Sequence, residues 1–478
     1  MTEVPANYRT PIAHEHRGNP LIEALSPLDE TEAELTELFT VRPRFDPSER
    51  DHPVRVRICY VERINSLCIP FEHVFNLEST LNAKIRRGYL WRNPLNAAVQ
   101  GWLHDEVNDP RLLIAERRAN ASVLFISGVS GAGKTTAIEA VLRSLGPQVI
   151  RHTSYLSSVL SERQIVWIKI NCPEDASLKG VCHAIFAFID ELLGDTDFAV
   201  QYEDPRLARR VLVLGIRRIV ATYHVGAIII DEIQNLAIGA SGGSNEVLGF
   251  FLNLRDELGI PIILVGTYAA LRLFSGKFRL GRRLAEGGET EIAIPRCADD
   301  PNWILLCESL WKFQWVKNPV PLSEEIIQIM FDLCAGINGL GVTLFSIAQK
   351  EAILNEVERV NAVYLEYIWN LRMRELSPAI AALRSGNPEL LSKFDDLYRN
   401  ALLTITALST RPLSPSTQKS SIDGSTSDDM PIQVARGKCR HRTPKTPITP
   451  DALDILLEDG GYKKIVQKGL TGNAASVL

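Results

Sequence analysis

Several things this sequence lacks narrow the field before any motif is read. There is no basic excess: 52 Lys and Arg face 57 Asp and Glu, for a formal charge of -5 over 478 residues. Any contact with nucleic acid must therefore come from a local patch. The eight cysteines include no CxxC pair, and the opening MTEVPANYRT has no apolar stretch of the kind that begins a secretory signal. A reduced, cytoplasmic compartment is the expectation. The longest apolar runs, Ala227 to Ile230 and Ile260 to Val265 among them, fall far short of the roughly 18 residues of a membrane span, so no membrane contact is expected. What the chain does have is 45% apolar side chains, enough for a sizeable core and more than one folded unit.

The composition changes along the chain. Over residues 1–118, prolines at 5, 11, 20, 43, 47 and 53 break any long helix, which predicts an extended arm. Helical pieces over Leu77–Leu103 follow, and their mixture of Lys84, Arg86, Arg87 and Arg92 with Tyr89 and Trp91 suits a protein partner or a nucleic acid. Residues 119–296 alternate short β-rich runs with amphipathic helices, the pattern of a parallel α/β sheet covered on both faces. Strands are expected at Ser122–Ser127, Ile165–Asn171, Ala227–Asp231, Ile262–Gly266 and Glu291–Ile294. Leu178, Val181, Cys182, Ile185, Ile189 and Leu192 recur at helical spacing and read as core packing. Residues 297–408 read as helices: Trp303–Phe313, Glu324–Ala335 capped by Ser323, Leu344–Asn355 and Ala362–Leu376. Residues 409–450, rich in Ser, Thr, Pro, Asp and Lys, are expected to be a flexible linker. The 451–478 tail, with its Leu453–Leu457 piece and Tyr462, Lys463 and Lys464, could dock on another protein.

Two motifs carry chemistry. Gly128-Val-Ser130-Gly131-Ala132-Gly133-Lys134-Thr135 fits the P-loop pattern between an apolar strand and a helix, Thr136–Leu145. Its backbone N–H groups can curl around phosphate oxygens, Lys134 can reach the β and γ phosphates of ATP, and the Thr135 hydroxyl can ligate Mg2+. Further on, Ile228-Ile-Ile230 empties Asp231 and Glu232 at a strand end, where ligands sit in open α/β sheets. Asp231 would hold the magnesium through water and Glu232 would polarise the water that attacks the γ phosphate. Alone, such a pair is more often two solvated acids; behind a P-loop it is not. Thr267, after the Ile262–Gly266 run, is either a polar sensor between water and phosphate or an N-cap for Ala269–Phe274. The basic run Lys277-Phe-Arg279-Leu-Gly281-Arg282-Arg283 is a solvated loop or a source of an arginine acting on a neighbour's site, with Arg282 and Arg283 favoured because they follow the glycine. Lys179, near a helix start, would track a DNA backbone if subunits repeat around it. Cys439 and His441 are too few for zinc.

With Gly128, Lys134, Thr135, the Asp231-Glu232-Ile-Gln234-Asn235 stretch, Phe250-Phe-Leu-Asn-Leu-Arg255, Gly259–Thr267, Arg279–Arg283 and Asn171–Gly180 in order, the chain resembles the TnsC/TniB family of AAA+ transposition regulators over about residues 60 to 370. The resemblance implies an AAA+ P-loop NTPase with a parallel central sheet, a small helical lid, an N-terminal extension and a flexible tail. It further implies a homo-oligomer, ring or helical filament, assembling with ATP on double-stranded DNA. Such an assembly bridges a target-selector protein or RNA-guided complex to transposase subunits, hydrolysis resetting it. AAA+ proteins place their trans-acting arginine near 279–283. One departure stands out: Gly336–Thr343 carries no arginine where many AAA+ lids have one, which predicts weak lid coupling and slow hydrolysis. The competing expectations are an initiator or loader ATPase working on DNA without a transposase, and an ATP-bound scaffold that does not turn over.

Overall fold

The structure is a computed structural model, describing residues 3–97, 101, 122–175, 177–238, 243–273, 288–391, 393–394 and 397. Arg279, Arg282 and Arg283, the 409–450 linker and the 451–478 tail lie outside the described residues. One compact unit comprises Met1–Leu354 with Glu358–Ala407; of the other, Asn355–Val357 with Leu408–Leu478, only the short 355–357 segment is described. Both sequence motifs lie in the first unit.

Eight strands occur among the described residues: β1 (Val4–Pro5), β2 (Val123–Gly128), β3 (Val149–Tyr155), β4 (Ser158–Ile165), β5 (Trp167–Asn171), β6 (Ala227–Asp231), β7 (Ile262–Gly266) and β8 (Glu289–Ile292). Five form the central sheet in the order β5-β6-β7-β2-β8, every pairing parallel. All residues of β2, β6 and β7 are buried, because β-branched runs with apolar side chains on both faces are satisfied only between two helical layers. All five expected strands are found within two residues at every end, and at the start of the second Ile165 closes β4 instead. The register aligns the strand ends that matter, pairing Asn171 with Asp231 and Ser127 with Gly266. Since β7 lies between β6 and β2, the residue after β7, Thr267, comes out between the two motifs.

Helices Lys134–Ser144, Leu178–Leu193, Arg209–Thr222 and Gly243–Leu258 make the connections. The second starts where the Ser177 hydroxyl accepts from Gly180 N–H and stops at left-handed Gly194, and its six apolar positions are all buried, as their spacing predicts. Each such side chain taken fully from water contributes about 1.5–3 kcal/mol.

Elsewhere the structure departs from expectation. Between the P-loop helix and β5 lies an antiparallel β3–β4 hairpin, with an irregularity between His152 and Ser154, and β1 adds in parallel to β3. The polar face of Ser158–Ile165 hides this strand from an apolar-run reading. The N-terminal residues are not a free extended arm. Leu21 and Ile22 are fully buried; Gln164 Nε2 donates to Leu21 O (2.9 Å), and Asn19 Nδ2 donates to Tyr89 O (2.8 Å) on the Glu72–Leu90 helix. The basic-aromatic mixture on that helix is largely structural as well: Arg86 and Arg92 are buried and donate to the carbonyls of Ser26 and Val225, leaving Arg87 and Trp91 exposed.

After the sheet come Pro301–Trp311, Glu324–Cys334, Asn338–Leu354 and Ala362–Ile368, with Ser323 accepting from Ile326 N–H as expected of a cap. Among the described residues no single helix is long and apolar enough to cross a membrane.

Candidate functional site

The site collects at the carboxyl ends of β2, β6 and β7. Gly128 closes β2 and cannot carry a Cβ, which would stand 2.7 Å from Ile292 O on β8. Gly131 and Gly133 take φ of +79° and +100°, open to glycine and strained for other residues, and so let the loop turn its N–H groups inward. Ser130, Gly131 and Thr136 are exposed along the loop and first helical turn, Ala132 is buried, and the helix begins at Lys134, two residues earlier than expected. Lys134 is buried, its ammonium donating to Gly128 O (3.2 Å) and Val129 O (3.0 Å) across the loop.

The two motifs meet across 96 residues of sequence, where the Thr135 hydroxyl donates to Asp231 Oδ2 at 2.9 Å. Asp231 is buried at the end of β6, with Lys169 Nζ from β5 at 3.7 Å; that ammonium also pairs with Glu139 Oε1 at 2.8 Å. A hydroxyl and a carboxylate, both hard oxygen donors, at the mouth of a phosphate-type loop fit a Mg2+–nucleotide complex. Glu232 is exposed and left-handed, at φ +55°, an arrangement that costs a non-glycine residue about 1–3 kcal/mol. Its N–H donates to Asp231 Oδ1 at 2.9 Å. Thr267 is buried and precedes a 3-10 turn, Tyr268–Leu273.

On residues 117–274 the chain matches a family model described as an AAA domain. The chain has the AAA+ P-loop fold. By structure it is similar to a Walker-type ATPase of Pyrococcus abyssi, at 15% identity with 60% of this chain and 76% of that one covered and a TM-score of 0.38. Drosophila ORC bound to DNA aligns at 13% identity, covering 65% and 77%, with a TM-score of 0.33. The Thermotoga maritima RuvB Holliday junction branch migration motor aligns at 14%, covering 64% and 89%, with a TM-score of 0.32. Comparison with curated proteins gives no match.

Three features of the AAA+ site escape a reading of the sequence. Lys169 is the one charge inside the Trp167–Asn171 strand, and that interruption is its only signal. Gln234 is buried and bonded to both Glu232 and Thr267. Gly339 donates from its N–H to Gly131 O at 2.9 Å, so a helix of the following segment rests on the P-loop without an arginine. Lys179, half-buried, donates to Pro205 O at 3.1 Å and stands apart from these contacts. Burial pushes the Cys172 thiol beside the site up to about 12, which leaves it unsuited to nucleophilic work.

Proposed function

We propose that this protein is an ATP-hydrolysing, DNA-bound oligomeric switch that links target-site selection to a transposase. The observation that carries the ATPase part is the 2.9 Å bond between Thr135 and Asp231, which joins the phosphate loop to the acidic strand end. Lys134 would release its two loop carbonyls to meet the β and γ phosphates, and the P-loop N–H groups would hold the remaining oxygens. Thr135 and Asp231 would hold magnesium, which supplies neutralising charge on the phosphates. Glu232 would orient and polarise the attacking water, and Thr267 would fix that water against the γ phosphate.

Support for the transposition part comes from the Asp231–Asn235 stretch and the Gly259–Thr267 and Arg279–Arg283 segments that resemble the TnsC/TniB regulators. In this reading Arg282 or Arg283 completes a neighbour's site and Lys179 contacts the phosphate backbone of duplex DNA. Subunits associate head to tail, as a ring or a helix. Transposase subunits and a target selector, protein or RNA-guided, are the partners.

Electron microscopy of the full chain with duplex DNA and a non-hydrolysable ATP analogue tests this. Wild type is expected to form rings or filaments on DNA and Lys134→Ala to form none. Assembly of the Lys134→Ala protein at normal efficiency would contradict the proposal.

A further inference from the structure

The Gln234 side chain spans the gap between β6 and β7. Its amide N–H donates to Glu232 Oε2, and its amide oxygen accepts from Thr267 N–H at 3.1 Å. The carboxylate can only accept and the backbone N–H can only donate, so chemistry fixes which way the amide points. Room for it exists because position 266 is glycine: a Cβ there would stand 2.8 Å from Gln234 Oε1 and 2.7 Å from Ile233 Cγ2. The turn beneath is held on both sides, by Ile233 N–H to Val265 O (3.0 Å) and by Asn235 Nδ2 to Cys172 O (2.9 Å). Gln234 is itself buried, whereas the Glu232 it grips is exposed.

We infer that Gln234 is a positioning residue for hydrolysis, fixing the Glu232 carboxylate relative to the end of β7; the inference rests on the ATPase reading above. An exposed glutamate would otherwise sample several rotamers. Gln234 takes one carboxylate oxygen and leaves Oε1 to accept from the attacking water, while the amide's far end ties that orientation to Thr267. Misplacing a catalytic group by about 1 Å can lower a rate by roughly 100-fold.

Gln234→Glu tests the assignment, because it keeps the acceptor for Thr267 N–H and replaces only the donor to Glu232 with a like charge. Turnover and the Kd for a fluorescent ATP analogue are measured for wild type and variant. Expected is a fall in kcat of about 10- to 100-fold with Kd unchanged. In the Glu232→Gln background the same substitution should add no further loss, the signature of two residues acting as one. Gln234→Ala, which drops both bonds, should lose turnover with ATP binding kept, and serves if the first variant does not fold. Undiminished kcat in either folded variant, a loss of ATP binding that parallels the loss of turnover, or an additive loss in the double variant would overturn the inference. If wild type shows no Glu232-dependent hydrolysis, the ATPase proposal itself fails; if Glu232→Gln abolishes turnover and Gln234→Glu does not, only the role of Gln234 fails.

Discussion

Glu232 and Gly266 sit at the two ends of one small device, and each has the backbone or side chain that its place demands. Glu232 accepts a left-handed backbone, and Gly266 gives up a side chain so that Gln234 can lie against β7. Gly266→Ala would force that amide and Ile233 aside. Overpacking of this kind costs about 1–3 kcal/mol, so a lower denaturant midpoint is predicted, with turnover falling more than ATP binding. Unchanged midpoint and kcat would show that the close approach is not required. At this scale the site is half legible in the sequence. Lys134, Thr135, Asp231 and Glu232 announce themselves because a P-loop and a strand-end acid pair are local patterns. Gln234 and Lys169 do not, since Thr267 for the one and Asp231 and Glu139 for the other come from other elements, and only the fold brings them near.

The helix Asn338–Leu354 shows what local propensity conceals. Sequence pattern places its start at Leu344, six residues late, because Gly339 and Gly341 weaken a helix. Both glycines serve packing instead: a Cβ at 341 would lie 3.2 Å from Trp303 Cη2 and one at 339 would lie 3.1 Å from Gly131 O. The Gly339 end of the helix rests on the P-loop, with Ile337 Cγ2 2.9 Å from where a Cβ on Gly131 would be. A bulky side chain at 339 should lift the helix away. Gly339→Val is predicted to weaken ATP binding about 10-fold, or roughly 1.4 kcal/mol, measured by titration with a fluorescent analogue; wild-type affinity would mean the contact is incidental. The β3–β4 hairpin escapes the sequence for a related reason, its strands being stabilised by pairing more than by an apolar run.

On the scale of the whole molecule, the proline-rich N-terminal segment ties distant parts together. Its first residues pair with β3 and bury Leu21 and Ile22. Farther on, Trp315 Nε1 donates to Glu49 Oε2 at 2.7 Å, and Arg57, 1% exposed, forms a bidentate pair with Glu358 at 2.7 Å on each arm. Burial pushes the Glu358 carboxyl up, but the hydrogen bonds from Arg57 and Lys317 N–H and the Arg57 charge outweigh it, and its pKa lies below the ordinary carboxylate value. A carboxyl that ionises more readily folded than unfolded stabilises the fold above its unfolded value, near 4.3. That contribution is lost as pH falls through the lower folded value. Glu358→Gln should therefore lower stability at neutral pH by about 3 kcal/mol, since it leaves a buried guanidinium without its charge partner, and the deficit should shrink in acid. Thermal melts of both proteins across pH 3 to 7, on the order of the titration range, check this; a deficit independent of pH would contradict it.

The central claim is that one carboxylate turns an ATP-binding AAA+ site into a hydrolysing one, and phosphate release measured alongside ATP binding for wild type and Glu232→Gln tests it most directly. The account predicts wild-type ATP affinity with turnover reduced about 100-fold or more. Turnover at the wild-type rate in the Glu232→Gln protein would contradict it.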